Sequence, residues 1–325
     1  MIKRKKYTMT EILWDLWCCI SVVGIWPRFI EPNLIWQSKL DLKTSNNALD
    51  GFKIVQFTDL HFSSEMSDGF LAKLKKNILI NTPDLIVFTG DFICFSNLED
   101  ENRLKNFLNS LHAPFGCFAI FGNHDYQDFV SINSKGEYDV VKTKSSTLKR
   151  GFKRLFSRSI TLKGISSNAA MNTKFHEKLG RLLKETPFQL LHNETISLDI
   201  GLNLCGLGEY SVGKCLPEQT FEKINPQFPT IVLTHNPDSV KLLKNYPADL
   251  ILSGHTHGGQ VNLPGFRKKF ITMENSGLVR GLVFEMGKKI YVNRGIGSVM
   301  KFRWFAVPEI LTVTFKRERK SDESN

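Results

Sequence analysis

Cysteine is sparse and unpatterned in these 325 residues: the six (18, 19, 94, 117, 205 and 215) form no CxxC pair and no regular framework. That excludes a disulfide-stapled scaffold and a thiolate zinc module, and predicts a reduced, intracellular chain. No internal repeat and no low-complexity tract occurs, so solenoid and disordered classes are excluded. Acidic residues are in deficit. Thirty-two Asp and Glu against 43 Lys and Arg leave a formal charge of +11, which predicts an anionic partner such as a lipid surface, nucleic acid or phosphorylated substrate. An apolar content of 42% with 23% charged residues describes an ordinary globular chain with a large core.

A long uninterrupted apolar run is also missing near the N-terminus. Lys3, Arg4, Lys5 and Lys6 precede "ILWDLWCCISVVGIW", which Asp15 breaks. As a helix, Ile12–Trp26 covers about 22 Å, short of the roughly 30 Å hydrocarbon core. No A-x-A-like site follows it, so a removable signal peptide fits poorly. Four of the five tryptophans (14, 17, 26 and 36) lie here, and tryptophan favours the lipid–water interface. Residues 1–36 therefore read as a membrane-associating segment, interfacial rather than spanning, with its basic cluster on the anionic cytoplasmic face. The alternative is an amphipathic helix docked on the protein's own body.

The remainder of the chain has a regular plan. Residues 37–51, with "KTSNNALDG", read as a linker, and the main domain spans 52–316. "FKIVQFT", "DLIVFTGD", "CFAIFGNHD", "TIVLTHN" and "DLILSGHTH" each read as an apolar strand ending in polar residues. Helical patterns lie between them: Phe70, Leu71, Leu74 and Ile78 at helical spacing, a segment near 99–111, and "HNPDSVKLLKNY". The alternation predicts an α/β sheet whose ligand site lies past the strands' C-terminal ends. After Phe188 the chain turns to β character, predicting an antiparallel or mixed second sheet with hairpins at 199–201 and 287–289. About 126–187 reads as an insertion. Between Lys135 and Lys163 it holds nine Lys or Arg against two acids, and "TLKRGFKRLFSRSI" has a basic amphipathic helical pattern, suited to capping the core, touching lipid, or forming a lid. Residues 317–325 are a charged tail.

The polar residues past the strands form a set: Asp59, His61, Asp91, Asn123, His124, Asp125, His235, His255 and His257. Carboxylates and imidazoles together suit Mn²⁺, Zn²⁺ or Fe²⁺ rather than Ca²⁺. So many ligands exceed what one ion takes, and suit two that share a carboxylate. Such a pair, about 3.5–4 Å apart, can clamp a phosphoryl group and activate a bound water.

In its ordered pattern of D-x-H, G-D, G-N-H-D, H and G-H-x-H, the chain resembles the calcineurin-like metallophosphoesterase superfamily. The resemblance implies a four-layer α/β/β/α sandwich. It implies that Asp59, His61 and His257 hold one divalent ion, Asn123, His235 and His255 another, and that Asp91 bridges them. His124 is then the catalytic residue facing the phosphoryl group. Many members carry an aspartate three positions after the bridging one to orient that histidine. Here Cys94 stands there, so the orienting partner is open.

"GHTHGGQVNLPG" and "YVNRGIGSVMKFRWFAVPEI" resemble a narrower bacterial branch, the YkuE/YaeI-like phosphodiesterases, and its UDP-2,3-diacylglucosamine pyrophosphatase subgroup. That resemblance implies hydrolysis of a lipid-linked sugar nucleotide to 2,3-diacylglucosamine 1-phosphate and UMP, in lipid A biosynthesis at the membrane, with Mn²⁺ the expected metal. Arg294, Lys301 and Arg303 are candidate phosphate contacts. Two other readings stay open: a nuclease or cyclic-nucleotide phosphodiesterase, which the positive charge also fits, and a non-enzymatic scaffold. The aromatics cluster at the N-terminus instead of interleaving the basic run, which disfavours nucleic acid.

Overall fold

The structure is a computed structural model that describes residues 8–141, 161–262 and 273–318. The Lys3–Lys6 cluster, the basic "TLKRGFKRLFSRSI" pattern and the tail beyond Glu318 lie outside the described residues.

Fourteen strands among the described residues are numbered in chain order: β1 (Trp36–Thr44), β2 (Lys53–Phe57), β3 (Leu85–Thr89), β4 (Cys117–Ile120), β5 (Val130–Ile132), β6 (Tyr138–Val140), β7 (Phe188–Leu190), β8 (Glu194–Leu198), β9 (Leu202–Gly206), β10 (Thr230–Leu233), β11 (Leu250–Ser253), β12 (Gly281–Glu285), β13 (Lys288–Val292) and β14 (Glu309–Arg317). Twelve build two six-stranded mixed sheets, ordered β1-β14-β2-β3-β4-β7 and β12-β13-β11-β10-β9-β8, while β5 and β6 form a small hairpin in the insertion. Neighbours β2, β3 and β4 are parallel, as are β10 and β11. Parallel strands bring their C-terminal ends to one edge, so the five polar turns of the sequence plan meet there. The expected hairpins form at Leu198–Leu202 and Glu285–Lys288. In the second, Met286 and Gly287 both have positive φ, the backbone a two-residue type I′ turn requires.

Strand alternation divides the core. Ile54, Leu85, Val87, Phe118 and Val313 of the first sheet cluster with Leu204, Ile231, Leu233, Leu250 and Leu252 of the second. Their neighbours Val55, Ile86 and Phe88 face away, toward Leu71, Leu74 and Ile78 of the helix Asp68–Leu79 and Leu104 and Leu108 of the helix Glu101–Asn109. Each fully buried side chain of this size contributes roughly 1.5–3 kcal/mol. Ser67 and Asp100 cap these helices, accepting from the backbone N–H of Phe70 and Arg103. "HNPDSVKLLKNY" gives only a tight 3-10 segment, Pro237–Leu243, because Asn236 and Pro237 set a short turn between two parallel strands.

Two expectations for the N-terminal region are corrected. The stretch read as a linker contains β1, paired in parallel with β14 along its whole length. The alternation of Leu40, Leu42 and Thr44 with Lys39, Asp41 and Lys43 is that of an edge strand, with Leu42 and Thr44 buried. The apolar segment is also longer than expected. A helix begins at Met9, capped by the Thr8–Glu11 box, widens into a π-helical stretch Ser21–Ile30, and ends in a 3-10 turn at Asn33. These 25 residues are long and apolar enough to cross a membrane. Length therefore no longer argues against spanning.

Met9–Ile20 buries no residue, and Trp14 and Trp17 are exposed. Only the foot of the helix docks on the body. There Glu31, 1% exposed, accepts from Trp26 Nε1 at 2.8 Å, Phe305 N at 3.0 Å and Ala306 N. Arg28 donates to the Lys301 carbonyl, and the Arg303 amide donates to that of Pro27.

Candidate metal centre

Five strand ends deliver the site. Asp59 and His61 follow β2, Asp91 follows β3, Asn123 and His124 follow β4, His235 follows β10, and His255 and His257 follow β11. Cross-links hold the two sheets in register beneath them. Gln56 donates to the Ser253 carbonyl at 3.1 Å, and His235 Nδ1 bonds the Thr89 carbonyl at 2.8 Å. The second bond places a proton on Nδ1 and directs Nε2 at Asp91 Oδ2, 3.2 Å away, the atom a cation would take in place of a proton.

Three donor groups result among the described residues: one is His61, Cys94 and His124, and the other two carry the aspartates. Of those two, Asp59, His61 and His257 form the first, and Asp91, His235 and His255 the second. In the first, the Nε2 atoms of His61 and His257 lie 3.1 Å apart, and His257 Nε2 is 3.5 Å from Asp59 Oδ1. In the second, His255 Nδ1 lies 3.1 Å from His235 Nε2. Asp91 Oδ2 also reaches toward the first of these, 3.5 Å from His61 Nε2. Asn123 is turned by its Nδ2 bond to the Val130 carbonyl, and its buried Oδ1 has no hydrogen-bond partner. A buried, orphaned amide oxygen beside imidazole lone pairs fits a cation as its missing partner.

Electrostatics favours the same occupant. Burial raises the Asp59 carboxyl to about 7 and lowers His61 to about 4 and His255 to about 3. The site resists an ionised Asp59 and a protonated His61 or His255, whereas Asp91, against burial, holds the His235 imidazole well above its ordinary basicity. Burial also works against ionised Asp91, but attraction from His235 and then His124 wins and holds it well below the ordinary carboxylate range. A divalent cation compensates the carboxylates and takes neutral imidazoles as ligands, so the residues present fit such ions.

The backbone is strained for this purpose. Asp59, His61, Asp91, His255 and His257 all have φ between 43 and 70°, a region that costs non-glycine residues about 1–3 kcal/mol each. Close approach also requires glycine. A Cβ at Gly122 would collide with Asp91 Oδ1, and one at Gly254 with Asp59 Oδ2.

Sequence reasoning left two roles open. Cys94 shares a cluster with His61 and His124, and Asp125 does not orient His124. The Phe95 amide donates to its Nδ1 at 2.8 Å, and the ring packs against Phe129, with centroids 4.3 Å apart. Asp125 has another role. It accepts from the amides of Asp91 (2.8 Å), Gly122 (2.9 Å) and Ile93 (3.2 Å) and so ties the turn after β3 to the turn after β4.

The candidate phosphate contacts divide. Arg303 is 0% exposed, and its guanidinium serves the carbonyls of Arg294, Ala306 and Gly297 and approaches His257 Nδ1 at 3.4 Å. It is a buried brace behind a metal-site histidine, not a contact for substrate. Arg294 is part-buried and paired with Glu309 at 3.0 Å. Lys301 is exposed.

This fold and this donor set define a metal-dependent phosphohydrolase. The calcineurin-like phosphoesterase family matches residues 52–259, and the chain belongs to it. Curated relatives narrow the branch. The UDP-2,3-diacylglucosamine pyrophosphatase LpxG of Chlamydia muridarum is 39% identical over 302 residues, covering 88% of this chain and 91% of that protein. The metallophosphoesterase YkuE of Bacillus subtilis is 31% identical, covering 89% and 88%. The phosphodiesterase YaeI of Escherichia coli is 27% identical, covering 80% of each chain.

Proposed function

We propose that this chain hydrolyses the pyrophosphate of UDP-2,3-diacylglucosamine, releasing UMP and 2,3-diacylglucosamine 1-phosphate, a step of lipid A biosynthesis. The observation that carries the reading is the complete donor set shared through Asp91, on a chain similar to LpxG nearly end to end. Asp59, His61 and His257 would hold one divalent ion and Asn123, His235 and His255 the other, with Asp91 available to both. Mn²⁺ is the proposed metal, and Zn²⁺ or Fe²⁺ suit the same ligands.

Bound there, two such ions supply Lewis acidity and an activated water. The protein does the rest. His235 and Asn123 are locked by the Thr89 and Val130 carbonyls, so their ligand atoms need no reorganisation. His124 carries its neutral-ring proton on Nε2, because Nδ1 accepts from Phe95. Nε2–H then donates to a phosphoryl oxygen as charge develops on it. Phe95 and Phe129 shield the ring from water.

The N-terminal helix is the membrane attachment, on the cytoplasmic face. If it crossed the bilayer, the basic Lys3–Lys6 cluster and the catalytic domain would lie on opposite sides. Lying in the interface keeps both beside anionic headgroups.

The test is release of UMP from the diacylated sugar nucleotide in detergent micelles with Mn²⁺. Chelator-sensitive release is expected. Absence of UMP, with hydrolysis of a generic phosphodiester retained, rejects this substrate and keeps the family chemistry.

A further inference from the structure

A cleft of about 340 Å³ connects the metal centre to the foot of the N-terminal helix: His61 and Phe95 line it, and so do Pro32 and Asn33. Polar Ser63, Ser64 and Asn97 and the carboxylates of Glu65 and Glu99 line it, with Glu99 accepting from Ser64 and Asn97, together with apolar Met66, Phe70 and Val299. Exposed Lys301 also belongs to the lining. The cleft is thus amphiphilic, with one end at the reacting centre and the other where the apolar helix meets the domain.

We infer that this cleft receives the acylated glucosamine half of the substrate, leaving the uridylyl half outside it. The inference rests on the substrate reading above and deepens it. Acyl chains leave a bilayer only at the cost of exposing their methylenes to water, so the sugar that carries them must reach the metals from the side facing the lipid. Only the foot of the helix offers that side among the described residues. It is held rigidly, because Glu31, Pro27 and Arg28 all bond the 301–306 segment. The distance from cleft to anchor is therefore fixed. The volume lies at the low end of small-molecule sites. It suits the sugar and the first carbons of its chains, whose remainder stays in lipid. The polar groups, Glu65 and Glu99 included, match the sugar's hydroxyls and acyl linkages, the apolar side chains match the chains, and Lys301 is the cation of the lining on the rim.

The experiment uses full-length protein in detergent micelles with Mn²⁺ and the soluble diester bis(p-nitrophenyl) phosphate as reporter. Inhibition by 2,3-diacylglucosamine 1-phosphate and by UMP is compared in wild type and in Val299→Trp and Met66→Trp, which fill the cleft. The ratio of the two inhibition constants is expected to move by about tenfold or more against the lipid phosphate. An unchanged ratio overturns the inference, and a shift against UMP reassigns the cleft to the nucleotide. If the tryptophan variants fold poorly, Lys301→Ala on the exposed rim decides by the same ratio. Wild-type release of UMP from the full substrate is scored separately. Its absence rejects the substrate, while the ratio still reports whether an acylated sugar phosphate occupies the cleft.

Discussion

The backbone amide of Phe95 donates to Nδ1 of His124 at 2.8 Å. An N–H donor there fixes the neutral tautomer with its proton on Nε2, and protonating Nδ1 would break the bond. Burial, the larger influence, also keeps this imidazole well below its ordinary basicity despite Asp91. His124 is therefore a fixed hydrogen-bond donor at neutral pH. His124→Ala is expected to lower kcat by about 10²–10³-fold, the effect of losing one preorganised donor. Manganese content, measured by elemental analysis, should stay at the wild-type level.

Asp91 Oδ2 lies within 3.5 Å of nitrogen in both donor groups that carry an aspartate. Asp91→Asn halves the acceptor capacity of that carboxylate and removes its charge. Metal content should fall below wild type and activity by about 10³-fold or more, with circular dichroism unchanged. An active, fully loaded Asp91→Asn protein would sink the shared-carboxylate reading.

Asp59 supplies a pH dependence with a definite sign. Its carboxyl, raised by burial to about 7 in the metal-free site, must lose its proton to bind a cation. Above pH 7 the Asp59 proton is already gone, but His235, whose imidazole Asp91 holds well above its ordinary basicity against burial, must still give one up, so affinity keeps rising with pH. Below pH 7 the Asp59 proton opposes binding as well, and affinity should fall by at least about tenfold per pH unit. Calorimetric titration of metal-free protein with Mn²⁺ between about pH 5.5 and 8, with buffers of different ionisation enthalpy, measures both the slope and the number of protons released.

Glu31 joins the anchor to the catalytic body, since it accepts from Phe305 and Ala306 while Arg303 of the same loop braces His257. Glu31→Ala leaves buried amides without acceptors, a loss of about 1–3 kcal/mol for each group. Thermal unfolding should come at lower temperature, and kcat should drop even in detergent, where attachment to lipid is irrelevant. Removing residues 1–33 should do the same. A truncated protein with wild-type stability and turnover would make the helix a mere tether.

That the candidate ligands gather at one edge was legible because their chemistry is local. The turn after an apolar strand is short, its polar residue types are visible, and parallel order brings the turns to one edge. The left-handed backbone of Asp59, His61, Asp91, His255 and His257 was not legible, because tertiary contacts impose it against intrinsic preference. The edge strand β1 was misread because its partner β14 lies some 270 positions away, and a polar alternating stretch gains strand character only by pairing. The helix was cut short at Pro27, a residue that ordinarily ends helices. Here it sits inside a wide helical stretch, its carbonyl held by Arg303.

By itself, then, the sequence determined the mixed α/β plan, the family and the donor set, since hydrophobic period and ligand type are written residue by residue. Tertiary structure alone decided which basic residues are buried braces and which are exposed, what donates to His124, and that a cleft runs from the candidate metal centre to the foot of the N-terminal helix. Those features depend on groups that meet only after hundreds of residues have folded between them. No local pattern encodes such a meeting.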